Sequence, residues 1–386
     1  MRYPLYARRG GFMLRYLTGG ESHGKCMLTI VDGLPAGLKV DKREVDDELT
    51  RRMLGYGRGR RMELESDRVD ILSGLRGGLT IGSPVSLLVK NADQSIDRLP
   101  KIYEPRPGHA DLSGILKYDL DDIRDVLERA SARETVARVA AGALARILLA
   151  QFGVKIASHV IAIGAAASKH KPMAFDRIAA LSSKSPVMCA DPAASASMCS
   201  QIDRAAKAGD TLGGVFEVII HGVVPGLGSY VQWDRKLDAN LARAIMSIQA
   251  IKGVSFGIGF AAAASNGSLV HDEIFYDKKK SFYRKTNNAG GIEGGMTTGE
   301  DIIIRAAMKP ISTLRKPLST IDIRARKPVK AAVERSDVCA VPAASVIGEA
   351  VSAIEIANAM IEKFGGDSVT EMKRNYQGYL SHIRKR

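Results

Sequence analysis

The chain is poor in the residues that mark several common protein classes. It has four cysteines in 386 residues, Cys26, Cys189, Cys199 and Cys339. Their spacing fits neither a metal-ligand set nor a disulfide framework. No metal is expected, and the thiols read as reduced, which points to a cytoplasmic protein. Aromatic residues make up 5%, with one tryptophan, too few to interleave with basic runs as on a nucleic-acid surface. No uninterrupted apolar run approaches the roughly 18 residues of a membrane span, and the first residues carry charge without an apolar core of signal-peptide length. The early glycine-rich loop lacks a Gly-x4-Gly-Lys-Ser/Thr pattern, and no Gly-x-Gly-x-x-Gly links an early strand to a helix.

Acidic residues are also outnumbered: 42 Asp and Glu against 56 Lys and Arg leave a net charge of +14. Such an excess serves nucleic acids, anionic metabolites or solubility alone. Here the arginines gather beside glycine-rich turns, which favours an anionic small molecule over nucleic acid or membrane. The remaining composition, 45% hydrophobic and 25% charged, is ordinary for a globular protein and allows one large domain or two.

Patterning predicts mixed α and β structure. Strands are expected at Cys26–Asp32, Val69–Ser73, Pro84–Lys90, Val154–Gly164, Gly214–Val224, Gly253–Ala263 and Ile302–Ala307. Asp41 caps a helix reaching Met53, and Leu237–Met246 is a second. Ser131-Ala-Arg-Glu134 fits a capping box ahead of Val136, Val139, Ala140, Ala143, Leu144 and Ile147 at helical spacing. Ile123, Val126, Leu127 and Ala130 share that period, so one bent helix and two helices both fit. Ala343–Phe364 is apolar nearly all round and should lie between layers. Lys169–Lys207 is weakly patterned, with small helices among loops. Asp32-Gly-Leu-Pro-Ala-Gly-Leu echoes Gly222-Val-Val-Pro-Gly-Leu: each follows an apolar strand and precedes a helix, suggesting two related halves around one core.

Several strings can carry chemistry. His23, in Glu21-Ser-His-Gly, could act as a general acid or base, or be a hydrogen-bonded loop residue. It forms no dyad with its neighbour Ser22, because adjacent strand side chains point to opposite faces. Arg51, Arg52, Arg58, Arg60 and Arg61 flank a glycine-rich loop that could grip phosphate or carboxylate, or be a solvated basic patch. Arg106-Pro-Gly-His-Ala-Asp111 places His109 behind a turn, and Arg129-Ala-Ser-Ala-Arg133 follows near a helix start, where an anion is favoured. The glycine-rich run from Thr286 to Gly299, with Lys309-Pro-Ile-Ser-Thr313, could cradle a phosphate-bearing cofactor. Arg335 could face an anion or pair structurally with Asp337.

Taken in order, Gly20-Glu-Ser-His-Gly, Gly55-Tyr-Gly-Arg-Gly, Arg106-Pro-Gly-His-Ala-Asp111, Glu128-Arg-Ala-Ser-Ala-Arg-Glu134, the Asn287-to-Gly299 loop, Lys309-Pro-Ile-Ser-Thr and Glu334-Arg-Ser-Asp337 resemble the chorismate synthase family. The resemblance runs from about Leu14 to Tyr379. It implies anti-1,4-elimination of phosphate from 5-enolpyruvylshikimate 3-phosphate to give chorismate, the last shikimate-pathway step. Reduced FMN is required without net redox change, and NADPH is a possible reductant. It implies an α/β fold of the α+β type, a three-layer β/α/β sandwich with helices between two antiparallel sheets, assembled as a homotetramer. By motif, His109 would protonate the departing phosphate, His23 the reduced flavin, and Asp337 would assist at the flavin. Arg61, Ser131, Arg133 and Arg335 would hold substrate. Arg129, Ala130, Ser131, Gln249, Ala250, Gly294, Lys309, Pro310, Ile311, Ser312, Thr313 and Arg335 would bind FMN, with Arg52 and Arg58 at positions associated with NADP.

The chain departs from the family at two points. Residues 1–13 read as an extension expected to be disordered, with Met13 an alternative start and a single domain over 14–386. The segment between Asn91 and Pro105 is short. A basic nucleic-acid-binding protein and a flavin- or NADP-dependent oxidoreductase are the competing readings. The first predicts steep salt dependence, the second stoichiometric consumption of reductant.

Overall fold

The computed structural model describes residues 14–59, 66–169, 173–278, 281–334 and 337–386. The expected extension over 1–13, together with Arg60, Arg61 and Arg335, lies outside the described residues.

Two antiparallel sheets frame the molecule. The first contains β1 (Arg15–Gly19), β2 (Cys26–Asp32), β3 (Val69–Ile71) and β4 (Val85–Lys90) in the order β1-β2-β4-β3. The second contains β5 (Lys155–Ile163), β6 (Gly214–His221), β7 (Ile251–Phe256) and β8 (Ile302–Met308) in the order β5-β6-β8-β7, with a two-residue edge strand, Ala166–Ala167, beside β5. Side-chain alternation sets the inner faces: Met27, Thr29 and Val31 of β2 are buried while Leu28 and Ile30 point outward.

Between the sheets, α1 (Lys42–Met53) and α4 (Thr135–Ala150) pack on the first, and α7 (Leu237–Met246) and α8 (Val341–Phe364) on the second. The expected sandwich is present, with a helical layer two helices deep. Around it lie α2 (Asp111–Tyr118) and α3 (Ile123–Ala130), which pack together as a hairpin, then α5 (Phe175–Ser182), α6 (Pro192–Ala208) and α9 (Val369–Ile383). A single hydrophobic cluster runs through both sheets and the helices between them. At its centre α4 meets α8 so closely that a Cβ on Gly142 would lie 2.5 Å from that of Ala350. Glycine there permits the approach.

By length and mean hydropathy α8 could cross a membrane, but it is buried between the sheets. Glu349 and Glu355 break its apolar sequence, which is why a search for uninterrupted runs passes over it.

The echo between halves extends to topology and hydrogen bonds. Each half runs strand, strand, helix, strand, strand, helix, in the same sheet order. In the first, Thr80 Oγ1 donates to Pro35 O (2.5 Å) and accepts from Leu38 N (2.8 Å), while Gly37 N donates to Thr80 O (2.8 Å). In the second, Thr297 Oγ1 donates to Val224 O (2.7 Å) and accepts from Leu227 N (2.9 Å), while Gly226 N donates to Thr297 O (2.8 Å). Each threonine closes a small hairpin turned by a glycine pair, Gly77-Gly78 or Gly294-Gly295, all at positive φ. Each clasp fixes the loop that feeds α1 or α7.

Some boundaries differ from expectation. β7 stops at Phe256, because Gly257 and Gly259 turn the chain at positive φ into a short 3-10 helix, Gly259–Ala264. The weakly patterned segment contains a 17-residue helix, α6, with Asp191 as N-cap and proline in its first turn. A 3-10 turn, Ala132–Glu134, joins α3 to α4. Ser131 caps that turn through Arg133 N, whereas the Glu134 carboxylate bonds Thr18 and Arg138, so the capping box is not reciprocal.

Candidate active site

Most of the expected site residues fall on four segments: residues 54–59 after α1, 91–134 between β4 and α4, 247–250 after α7, and 309–340 between β8 and α8. These are the same two positions in each half. His23 lies between β1 and β2, Arg52 in α1 and Gly294 in the hairpin that Thr297 closes.

Two histidines lie at the α2–α3 hairpin, each against a buried carboxylate. His23 Nδ1 is 2.9 and 3.0 Å from the two oxygens of Glu128, which also accepts the His23 main-chain N–H at 2.7 Å. His109 Nδ1 is 2.5 Å from Asp111 Oδ1. Asp111 and Glu128 are 0% and 2% exposed. Charge buried this deeply requires a partner, and each has an arginine. Arg106 grips both Asp111 oxygens (Nε–Oδ2 2.8 Å, Nη2–Oδ1 3.0 Å). Arg124 lies 3.5 Å from Glu128 and bonds Pro100 O and Glu334. Burial works against ionisation of both acids, yet the histidine and arginine contacts hold them below the usual carboxylate range.

Arg106 also joins this hairpin to the Lys309–Thr313 segment, through Thr313 Oγ1 at 2.9 Å, and Ser312 Oγ donates to Gly108 O at 3.2 Å. Lys309 Nζ approaches Ser312 Oγ at 3.4 Å, and its main-chain N–H bonds Ala250 O. Partial burial, with Lys252 nearby, lowers the Lys309 pKa. Thus His109, Ala250 and the Lys309–Thr313 segment form one neighbourhood. Gln249 Nε2 reaches Glu134 at 3.3 Å, while its Oε1 is buried with no hydrogen-bond partner among the described residues. Gly294, at φ +58°, has open space where a side chain would stand.

A second neighbourhood surrounds Asp67. Arg133 reaches Asp67 Oδ1 (2.6 Å) and Asn91 Oδ1 (2.9 Å). Arg52 bonds Asp67 Oδ2, Thr135 Oγ1 and Ala132 O, and burial lowers its pKa to about 9. Asn91 Nδ2 donates to Glu21 O and Gly24 O, tying this network to the His23 loop. Ser131 Oγ lies 3.2 Å from Ser22 Oγ, and Arg129 bonds Thr18 and Gly20 O. Arg58 pairs with Asp337 at 3.2 Å, and Asp337 accepts Gly59 N at 2.7 Å. Arg52 was expected at NADP, but all three of its guanidinium nitrogens bond protein atoms and it is 4% exposed. Its position suits fixing Asp67 beneath Arg133.

Sequence reasoning assigned no part to Asp67, Asn91, Arg106, Asp111, Arg124 or Glu128. Asp111 was detectable, two residues after His109 in a turn motif. Glu128 was not, since His23 lies 105 positions away.

The sequence pattern of the chorismate synthase family matches residues 14–361. Chorismate synthase of Desulforudis audaxviator is 57% identical, covering 96% of this chain and 98% of its own. That of Geobacter sulfurreducens is 54% identical over 96% and 100%. A crystal structure of a chorismate synthase superposes with a TM-score of 0.82 at 41% identity, over 98% of this chain and all of that one. With the expected motifs and the sandwich both present, the chain belongs to the chorismate synthase family of carbon–oxygen lyases.

Proposed function

We propose that the chain forms chorismate by anti-1,4-elimination of phosphate from 5-enolpyruvylshikimate 3-phosphate, the last shikimate-pathway step, with reduced FMN bound and not consumed. The observation that carries this reading is the junction of the His109 turn with the Lys309–Thr313 segment through Arg106. An imidazole backed by carboxylate stands beside a cation and two hydroxyls, suited to a leaving phosphate.

The residues present fit a flavin phosphate and ring. Lys309, Ser312 and Thr313 supply a cation and hydroxyls, Gln249 Oε1 is a buried acceptor lacking a partner among the described residues, and Gly294 leaves room for close approach. Arg129, Ala130, Ser131, Ala250, Pro310 and Ile311 would complete that surface. When bound, reduced flavin supplies transient electron density for a reaction with no net redox change. The protein orients substrate and handles protons. His109 would donate a proton to the departing phosphate, and His23 would supply a proton to a bound reduced flavin. Asp337 assists while holding Arg58 and the Gly59 main chain. Arg133 and Ser131 hold substrate from the Asp67 network, with Arg61 and Arg335 assigned by motif. We also assign the chain to the cytoplasm, as a homotetramer with no nucleic-acid or membrane partner, leaving NADPH only a possible reductant.

An anaerobic assay comparing chemically reduced FMN with oxidised FMN plus NADPH tests both cofactor assignments. Turnover is expected with reduced FMN at catalytic amounts; stoichiometric consumption of reductant would overturn the lyase reading. His109→Ala should retain FMN while slowing phosphate release by about 10²- to 10⁴-fold. Unchanged turnover in that variant would remove its role.

A further inference from the structure

The histidines share a construction that their proposed roles do not require. Each turns Nδ1 toward a buried carboxylate with a buried arginine beside it: Arg106 hydrogen-bonds both Asp111 oxygens, and Arg124 lies 3.5 Å from Glu128. Each carboxylate also accepts a main-chain N–H from its own cluster: His23 N to Glu128 Oε2 (2.7 Å) and Arg106 N to Asp111 Oδ2 (3.0 Å). Ring, carboxylate and backbone are therefore fixed together. The two sets stand on neighbouring helices of one hairpin, where Gly114 of α2 permits close contact with Val126 of α3.

An ionised carboxylate only accepts hydrogen bonds, so the ring nitrogen facing it must carry the hydrogen. In a neutral imidazole the other nitrogen is then the basic one. Arg106 Nη2 lies 3.0 Å from His109 Nδ1, but both are donors in this arrangement, and Asp111 Oδ1 receives the two of them. Arg106 keeps Asp111 ionised and oriented rather than bonding the ring. Arg124 supplies Glu128 with a nearby positive charge at 3.5 Å and no hydrogen bond.

We propose that Glu128 and Asp111 are positioning residues that lock His23 and His109 in the Nδ1–H tautomer, making Nε2 the nitrogen through which each ring exchanges its proton during the reaction. The proposal rests on the reading of both histidines as proton carriers. Both acids are buried behind their rings. Each acts through its histidine, and the matched arrangement gives one hairpin control of both proton-transfer sites.

Protein labelled with 15N-histidine reports the tautomer directly through imidazole 1H–15N correlations, with His23 and His109 assigned by loss of signal in His23→Asn and His109→Asn. In the unsubstituted chain both rings, when neutral, should show a protonated Nδ1 and a bare Nε2. An Nε2–H form at either ring would overturn the proposal for that pair. In Glu128→Leu and Asp111→Leu the affected ring should become a mixture of tautomers and the other should not change. Reduced-flavin kcat should fall on the order of 10²-fold with KM within about twofold. Glu128→Gln and Asp111→Asn retain an acceptor oxygen and should recover much of the tautomer bias, which separates positioning from folding damage. If the leucine variants leave the tautomer unchanged, the proposal fails. If the tautomer changes and kcat does not, the reading of the histidines as proton carriers fails instead.

Discussion

The two halves of the molecule share a frame and differ in what they hang on it. In each, one site segment follows the first helix and another spans the crossover from the fourth strand to the central helix. The first crossover, 91–134, builds the α2–α3 hairpin with its two buried carboxylates and His109, against which His23 docks from the β1–β2 loop. Among the described residues the second, 309–340, offers a lysine, hydroxyls and main-chain groups on a chain without a helix. Proton handling needs groups whose orientation and ionisation are fixed by burial; holding a phosphate needs cations and donors near solvent. A repeated frame allows each half to specialise without altering the other. The outer surfaces diverge too. On the second sheet Ala157 and Ile219 are covered by Phe175 and Ile178 of α5, whereas Leu17 and Ile30 on the first are exposed.

The largest expected effect comes from breaking the bond between halves. Glu349 of α8 is fully buried and accepts from Arg51 of α1, Arg146 of α4 and Ser158 of β5. Glu349→Ala removes the buried acceptor shared by two arginines, leaving them Glu48 alone, and should cost about 3 kcal/mol, measured by denaturant unfolding. A loss below about 1 kcal/mol would mean that the halves do not depend on this ion cluster.

A smaller effect tests whether the clasps are equivalent. Thr80→Val and Thr297→Val each leave a main-chain N–H and a carbonyl without their partner and should each cost about 1–3 kcal/mol. Near-equal losses support the internal equivalence. A loss confined to one variant would make the duplication topological only.

The smallest effect concerns acid. Asp111 and Glu128 have ordinary values of 3.8 and 4.5 and are held lower in the folded chain, burial opposing and the histidine and arginine contacts prevailing. Their stabilising contribution is complete above those ordinary values and is lost as pH falls through the folded ones. Denaturation midpoints should therefore drop below about pH 4. Asp111→Asn should flatten that drop, and Ser312→Ala, on the second crossover, should leave its slope unchanged.

Much of the frame was legible because it is local. Leu237–Met246 follows from apolar spacing, the Asp41 cap from residue type, and the half-to-half echo from Pro35-Ala-Gly-Leu38 and Pro225-Gly-Leu227, whose Gly37 and Gly226 both take positive φ. The motifs located His23, His109 with Asp111 two residues on, Ser131 and Lys309, but the distant partners were hidden. Asp67 meets Arg133 across 66 positions, and Asn91 meets it across 42. Nothing in local spacing encodes such meetings; only the folded sheets and the hairpin create them. Gly257 and Gly259 show the same limit on a smaller scale, since an apolar run cannot reveal where positive φ ends a strand.

The contact between α4 and α8 also has a consequence for biosynthesis. α4 ends at Ala150, and the helix that covers its inner side begins at Val341. At roughly 5–20 residues per second, an emerging chain waits on the order of 10–40 s between the two. Throughout that interval the first sheet can close, because all four of its strands precede α4, while an almost wholly apolar helix lies uncovered at Gly142. The nascent first half is thus an aggregation-prone species with an assembled sheet and an exposed seam. Slow translation of the second half, or shortage of a chaperone able to shield α4, should lower the yield of folded protein without changing the stability of the finished molecule.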